Sequence, residues 1–198
     1  MIDKIKEGRE EYKRIHMTSI IYQWSIEEWH ELVDSGLLEG KPVELLEGNI
    51  VEMSPEGIEH SYTNQSVSDY LRDLFKGQAH VRDAHPITLD NSEPEPDIAI
   101  VQLPATIYRN HHPYAQNIYW LIEVSNRTLT KDLEQKIITY ARNGIPEYWV
   151  IDLKNKKLIV HTQIQNNSYS KVIEYRSGTI ASQAFNQIQI DLDKLLLY

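Results

Sequence analysis

The chain has 198 residues, 41% of them apolar, enough to bury one core in a single domain. Its formal net charge is −9, which argues against a broad basic face that coats DNA tightly and without specificity, while leaving room for a local basic rim around an acidic metal site. It contains no cysteine, so disulfides, thiolate zinc sites and cysteine nucleophiles are excluded, and a reducing cytoplasm is the expected location. No apolar run approaches the roughly 20 residues needed to span a bilayer, and no signal-peptide pattern is read in the sequence.

Residues 1–17 are dense in charge (Lys4, Lys6, Glu7, Arg9, Glu10, Glu11, Lys13, Arg14) and read as an N-terminal extension ahead of one domain over 18–198. Ser25-Ile26-Glu27-Glu28 is a capping box, followed by a helical stripe at Trp29, Leu32 and Val33 that Gly36 ends. Glu44 to Met53 reads as two short strands around the turn Glu47-Gly48-Asn49. The spacing of Val67, Tyr70, Leu71, Leu74 and Phe75 predicts a helix over 58–75, stopped by Gly77.

Strands are expected at Ile87–Leu89, Ile98–Leu103 and Ile118–Val124, with an exposed loop over 104–117. Leu133, Ile137, Tyr140 and Ala141 mark a helix over about 130–143, closed by Gly144 and Pro146. Tyr148–Leu153 is almost continuously apolar, as a central strand is, whereas Lys157–Thr162 and Lys171–Tyr175 alternate like an antiparallel edge hairpin. Residues 191–197 read as a short final helix. Strand–helix–strand across 118–153 implies a parallel crossover inside a mixed sheet, an α/β fold.

Two segments carry the chemistry. Glu95-Pro96-Asp97 stands at the start of an apolar run, and Glu123 ends another in Leu121-Ile122-Glu123-Val124-Ser125. Two strand-end carboxylates make an oxygen site for a hard divalent cation. The plainer readings are a turn aspartate and a glutamate salt-bridged to Arg127.

Lys136 lies in the following helix. With Leu133 at 0° and about 100° per residue, Ile137 falls near 40°, Tyr140 near 340° and Lys136 near 300°. Lys136 therefore flanks the apolar stripe, either paired with Asp132 one turn earlier or aimed over the sheet at the carboxylates. Glu44 offers a third carboxylate, unless it is a solvated strand residue. His60, at the start of a helix, is a candidate contact to phosphate or base. Glu47 reads as turn chemistry, Glu93 and Glu95 as solvated loop charges, and His111-His112 as surface. There is no P-loop, no G-x-G-x-x-G, no G-x-S-x-G and no H-E-x-x-H.

Taken in order, Val43-Glu44-Leu45-Leu46-Glu47-Gly48, Met53-Ser54-Pro55, His60, Glu95-Pro96-Asp97, Leu121-Ile122-Glu123-Val124-Ser125, Thr128, Asp132-x-x-x-Lys136, Tyr140, Gly144 and Glu147-Tyr148-Trp149-Val150-Ile151-Asp152 resemble the Uma2 (DUF820) family. That family belongs to the PD-(D/E)XK nuclease superfamily. The resemblance spans roughly 18–155 and implies a restriction-endonuclease-like core, a mixed sheet flanked by helices.

It also implies roles. Asp97 matches the aspartate of the "PD" motif and Glu123 the acidic residue of "(D/E)XK", both binding Mg²⁺ (or Mn²⁺), with the Val124 carbonyl as a further ligand. The lysine of that motif belongs two residues after Glu123, where this chain has Ser125; Lys136 takes its place on the next helix. The family's Ser-Pro is Ser125-Asn126 here. Glu44 matches the acidic residue that supports the site. Beside the resemblance, Arg127 is an expected phosphate contact and His60 a candidate contact to substrate. The expected activity is hydrolysis of DNA phosphodiester bonds by a homodimer. The competing expectation is a catalytically silent nuclease fold that binds protein or nucleic acid.

Overall fold

The computed structural model describes residues 21–126 and 131–197, with Lys131 and Asp132 described by their backbone alone. The extension expected over 1–17, Arg127, Thr128 and the Asp132 side chain lie outside the described residues.

Helix α1 (Ile26–Asp34) starts at the expected capping box: Glu28 N donates to Ser25 Oγ (3.2 Å) and Ser25 N to Glu28 Oε2 (2.9 Å). A hairpin of β1 (Val43–Leu46) and β2 (Asn49–Glu52) follows. Its turn places Glu47 and Gly48 at φ 49° and 72°. Gly48 is required for space as well as for φ, because a Cβ there would stand 2.7 Å from Gln23 Cβ.

Helix α2 (Ile58–Leu74) buries Thr63, Asn64, Val67, Ser68 and Leu71. Then come β3 (His80–Asp83), β4 (Ile98–Val101), β5 (Ile118–Ser125), α3 (Lys131–Arg142), β6 (Glu147–Asp152), β7 (Lys157–Gln165) and β8 (Ser168–Tyr175). These six strands form one mixed sheet in the order β3-β4-β5-β6-β7-β8. The β5–β6 pair is parallel and every other pair antiparallel, so α3 is the crossover read from the sequence. A small hairpin of β9 (Thr179–Ile180) and β10 (Ile190–Asp191) and the short α4 (Leu192–Leu196) close the chain.

Each face of the sheet carries its own core. On one side Val67, Leu71 and Phe75 pack with Ile98, Ile100, Trp120, Ile122, Trp149, Leu192 and Leu195. On the other, Leu133, Tyr140 and Ala141 of α3 pack with Ala99, Val101, Leu121, Tyr148 and Val150. Alternation along each strand divides its residues between the two faces. The centre of the sheet is therefore apolar on both sides, which explains the continuous apolar runs.

The strand expected at Ile87–Leu89 does not form. Its side chains are buried, but Ile87 N donates to Pro94 O (3.0 Å) and Leu89 N to Ser92 O (2.9 Å), so the segment folds back within its own loop. Thr88 makes only an isolated bridge with Tyr114. Prolines at 86, 94 and 96 punctuate the segment and limit a longer ladder. The 104–117 loop contains two 3₁₀ turns, Ala105–Arg109 and Ala115–Asn117.

Candidate functional site

The β4–β5 register pairs Ile98 with Ile122 and Ala99 with Leu121. One further step sets Asp97 opposite Glu123, on the face that α3 covers. Directly opposed residues on antiparallel strands stand about 5 Å apart at Cβ. Two carboxylates distant in sequence are thus neighbours because the register of two apolar strands demands it.

Both are buried, at 8% and 6% exposure. Asp97 is held by three elements: Oδ2 accepts from Val124 N (2.6 Å), Oδ1 from His60 Nε2 (2.9 Å), and its carbonyl from Ala84 N (2.9 Å). Glu123 Oε1 accepts from Lys136 Nζ (3.1 Å) and from Tyr140 Oη (3.0 Å), one turn further along α3. Lys136 Nζ also stands 3.4 Å from Glu44 Oε2, and that oxygen accepts from Glu95 N (2.9 Å). Glu44, Asp97, Glu123 and Lys136 all line one open cleft of about 770 Å³, together with Glu56, His60, Glu95 and Val124.

The charges explain how the site holds together. Burial raises the Glu123 carboxyl, to about 7, and the nearby Asp97 and Glu44 charges add to this, against the opposing effect of Lys136. Burial alone would discharge Lys136, but Glu123, Glu44 and Asp97 outweigh it and raise its pKa, so the ammonium persists at neutral pH. Burial likewise disfavours the charged ring of His60, yet Asp97 and Glu56 raise its pKa overall. Glu95 is pushed up by burial and by Glu44.

Several sequence readings need correction. Glu44 is not a solvated strand residue; it is buried against Lys136. Glu123, for which the sequence left Arg127 and Lys136 open, pairs with Lys136, eleven residues beyond the motif position at Ser125. Glu93 is no loop charge: at 6% exposure it accepts from Trp29 Nε1 (3.0 Å), His30 Nε2 (2.8 Å) and Thr88 Oγ1 (2.7 Å), and so ties α1 to the loop behind the cleft. Glu95 is half-buried in the cleft. Glu47 does more than turn the hairpin, since it accepts from Thr139 Oγ1 (2.8 Å) and Arg142 Nη1. His111 and His112 are half-buried, and His111 Nδ1 bonds the His112 carbonyl (2.7 Å).

Two further contributors escaped the sequence reading. Tyr140 lies four residues after Lys136 on α3, a spacing that signals a shared helix face, whereas Glu56 stands in the loop before α2, where no periodicity marks it. Ligand atoms of Glu56, His60 and Asp97 all lie within 4.8 Å of one another. The donor set fits a hard divalent cation, being mainly carboxylate oxygen with more negative charge than Lys136 can neutralise.

The family model for Uma2, described as "Putative restriction endonuclease", matches residues 26–193. The chain belongs to the Uma2 family. No curated protein matches it. Among solved structures, the chain resembles one described as "a putative nuclease belonging to DUF820" from Anabaena variabilis ATCC 29413. The two are 16% identical with a TM-score of 0.65, and the match covers 83% of this chain and 97% of the other. At that identity the likeness shows the shared fold: the Uma2 chain has the same restriction-endonuclease-like mixed α/β architecture. No helix among its described residues is long and apolar enough to cross a membrane.

Proposed function

We propose that this Uma2 protein is a divalent-metal-dependent endonuclease that hydrolyses DNA phosphodiester bonds, with Mg²⁺ as its cation and Mn²⁺ as a substitute. The observation that carries the reading is the meeting of Asp97 and Glu123 across the β4–β5 register with Lys136 Nζ 3.1 Å from Glu123, in one open cleft. Membership in a nuclease family points the same way: to nucleic acid as substrate and to divalent-metal use.

Asp97 and Glu123, with the Val124 carbonyl, are the groups that would hold the cation. When bound, it supplies Lewis-acid polarisation of the phosphoryl oxygen and neutralises developing charge. The remaining work belongs to the protein. His60 and Val124 N fix the Asp97 carboxylate, so little reorganisation is needed. Glu44 holds Lys136 between two carboxylates. The raised pKa of Lys136 assigns it the role of a cation that orients the attacking water and the phosphate, rather than that of a base. Hydrolysis places the hydroxyl of water on phosphorus and its proton on the departing oxygen. Arg127, from its place in the sequence, serves phosphate contact.

The chain acts as one domain over 18–198, as a homodimer that cuts both strands, in the cytoplasm; sedimentation equilibrium tests the dimer. The net charge of −9 favours a second reading, a silent nuclease fold that only binds. Incubation of supercoiled plasmid and linear oligonucleotides with Mg²⁺, Mn²⁺ or chelator separates the two. The nuclease reading expects metal-dependent cleavage that Asp97→Ala abolishes. Cleavage that survives D97A assigns the activity elsewhere, and none with any substrate favours the silent fold.

A further inference from the structure

Two residues behind the cleft, on edge strand β3, stands a cation without a carboxylate. Arg82 makes no ion pair among the described residues, whereas nearby Arg72 is taken by Asp69 and Asp83. The Arg82 guanidinium is half-buried and lies 5.7 Å from the centroid of the Tyr108 ring. Among the described residues its side chain makes one hydrogen bond, a long one from Nη2 to the Pro86 carbonyl (3.4 Å), and its buried Nε finds no partner. Burying an unpaired guanidinium is costly. The fold accepts that cost at a residue whose guanidinium lies over the Tyr108 ring.

Tyr108 belongs to a continuous ladder. His80 stacks on Tyr108 at 6.2 Å, Tyr108 meets His111 edge-on at 6.1 Å, and His111 stacks on Tyr114 at 4.8 Å. The charge of Arg82 also bears on the nearby histidines. Burial and then Arg82, Arg72 and His85 lower the pKa of His80; burial, Arg82, His30 and His85 lower that of His112, against Glu93.

Register places this ladder relative to the cleft. Arg82 pairs with Ala99, and Ala99 with Leu121, so Arg82 projects from the same sheet face as Asp97 and Glu123. One strand spacing and two residues along the strand separate Arg82 from Asp97, about 8 Å between backbones. At about 3.4 Å of rise per nucleotide, that is the reach of roughly two nucleotides. Ala84, two residues after Arg82, lines the cleft itself.

We infer that Arg82, held against Tyr108, is a phosphate-binding residue, and that the His80–Tyr108–His111–Tyr114 ladder lines the path by which the substrate strand leaves the cleft. Arginine suits this role because its planar fork stacks on the ring while its edge donors address a phosphate bidentately. The inference rests on the nuclease reading for the identity of the anion.

The test is binding of end-labelled single-stranded and duplex DNA by the full chain in chelator, across a range of salt, for wild type, Arg82→Gln and Arg82→Lys, alongside the cleavage assay. Expected is a loss of about tenfold in affinity for R82Q and a fall of about 1 in the slope of log affinity against log salt, with the slope restored in R82K. A merely structural arginine would leave the slope unchanged, and that result overturns the inference. Should R82Q not fold, phenylglyoxal labelling of wild type replaces it: DNA must protect Arg82, and equal labelling with and without DNA overturns the inference. Wild-type cleavage with an unchanged R82Q slope defeats the path and leaves the nuclease standing. Arg82-dependent binding without cleavage does the reverse, and the absence of both defeats both.

Discussion

Replacing Lys136 by methionine tests the electrostatic design of the site most directly. Lys136 is 8% exposed, with Nζ 3.1 Å from Glu123 and 3.4 Å from Glu44. At an effective dielectric of about 20 each contact is worth roughly 5 kcal/mol before desolvation, and removing one member of such a buried set costs about 3–5 kcal/mol net. For a chain of this size that corresponds to a fall in Tm of about 10 °C.

The cost must depend on pH, because the stranded carboxylates can escape it by protonation. Glu123 already has its pKa pushed up to about 7 with the lysine present. The fall should therefore grow as pH rises through about 7, and near about pH 5 be less than half as large as near about pH 8. Thermal melts of both proteins at the two pH values, without divalent cation, measure it. Equal falls at both, or less than about 2 °C at the higher pH, would refute the picture of Lys136 as the buried counter-ion of Glu44 and Glu123.

A raised carboxyl pKa favours the folded state below the unfolded value, and that stability is lost as pH rises through about 7. Glu123→Gln removes this loss, so its stability relative to wild type should climb by about 3 kcal/mol between about pH 4.5 and 7; urea melts showing a flat difference would contradict the shift. For the same reason Mg²⁺ binding below neutrality should expel close to one proton from the wild-type site and almost none from E123Q, read by calorimetry in buffers of different ionisation enthalpy. Glu93→Ala should cost about 2–4 kcal/mol and speed hydrogen exchange in α1, since it strands Trp29 Nε1 and Thr88 Oγ1; unchanged exchange there would show that α1 is docked by other contacts.

Periodicity and capping made most elements legible. The capping box at Ser25, the stripe on α3 and the turn at Glu47-Gly48 are local devices whose causes lie within a few residues. The helical phase of Lys136 also pointed it towards the sheet, because a helix's geometry is carried by its own backbone. Ile87–Leu89 misled for the complementary reason: its apolar side chains sought the core, but its backbone donors found partners in the same loop, a choice composition does not record.

What lay beyond local sequence was partnership. Glu44 in strand β1 and Glu93 and Glu95 in the proline-rich loop are ordinary polar letters, and their burial follows from where the hairpin meets that loop, with α1 packed on Glu93. Glu123 could as well have answered to Arg127 as to Lys136 by sequence alone; the crossover helix brings Lys136 Nζ to it. Residue types and local geometry suffice to nominate Asp97, Glu123 and Lys136, because backbone preference and side-chain period act over short range. Strand register and helix docking decide that the three share a cleft, and that Arg82 flanks it with no ion pair among the described residues, because those depend on which surfaces the whole chain can bury at once.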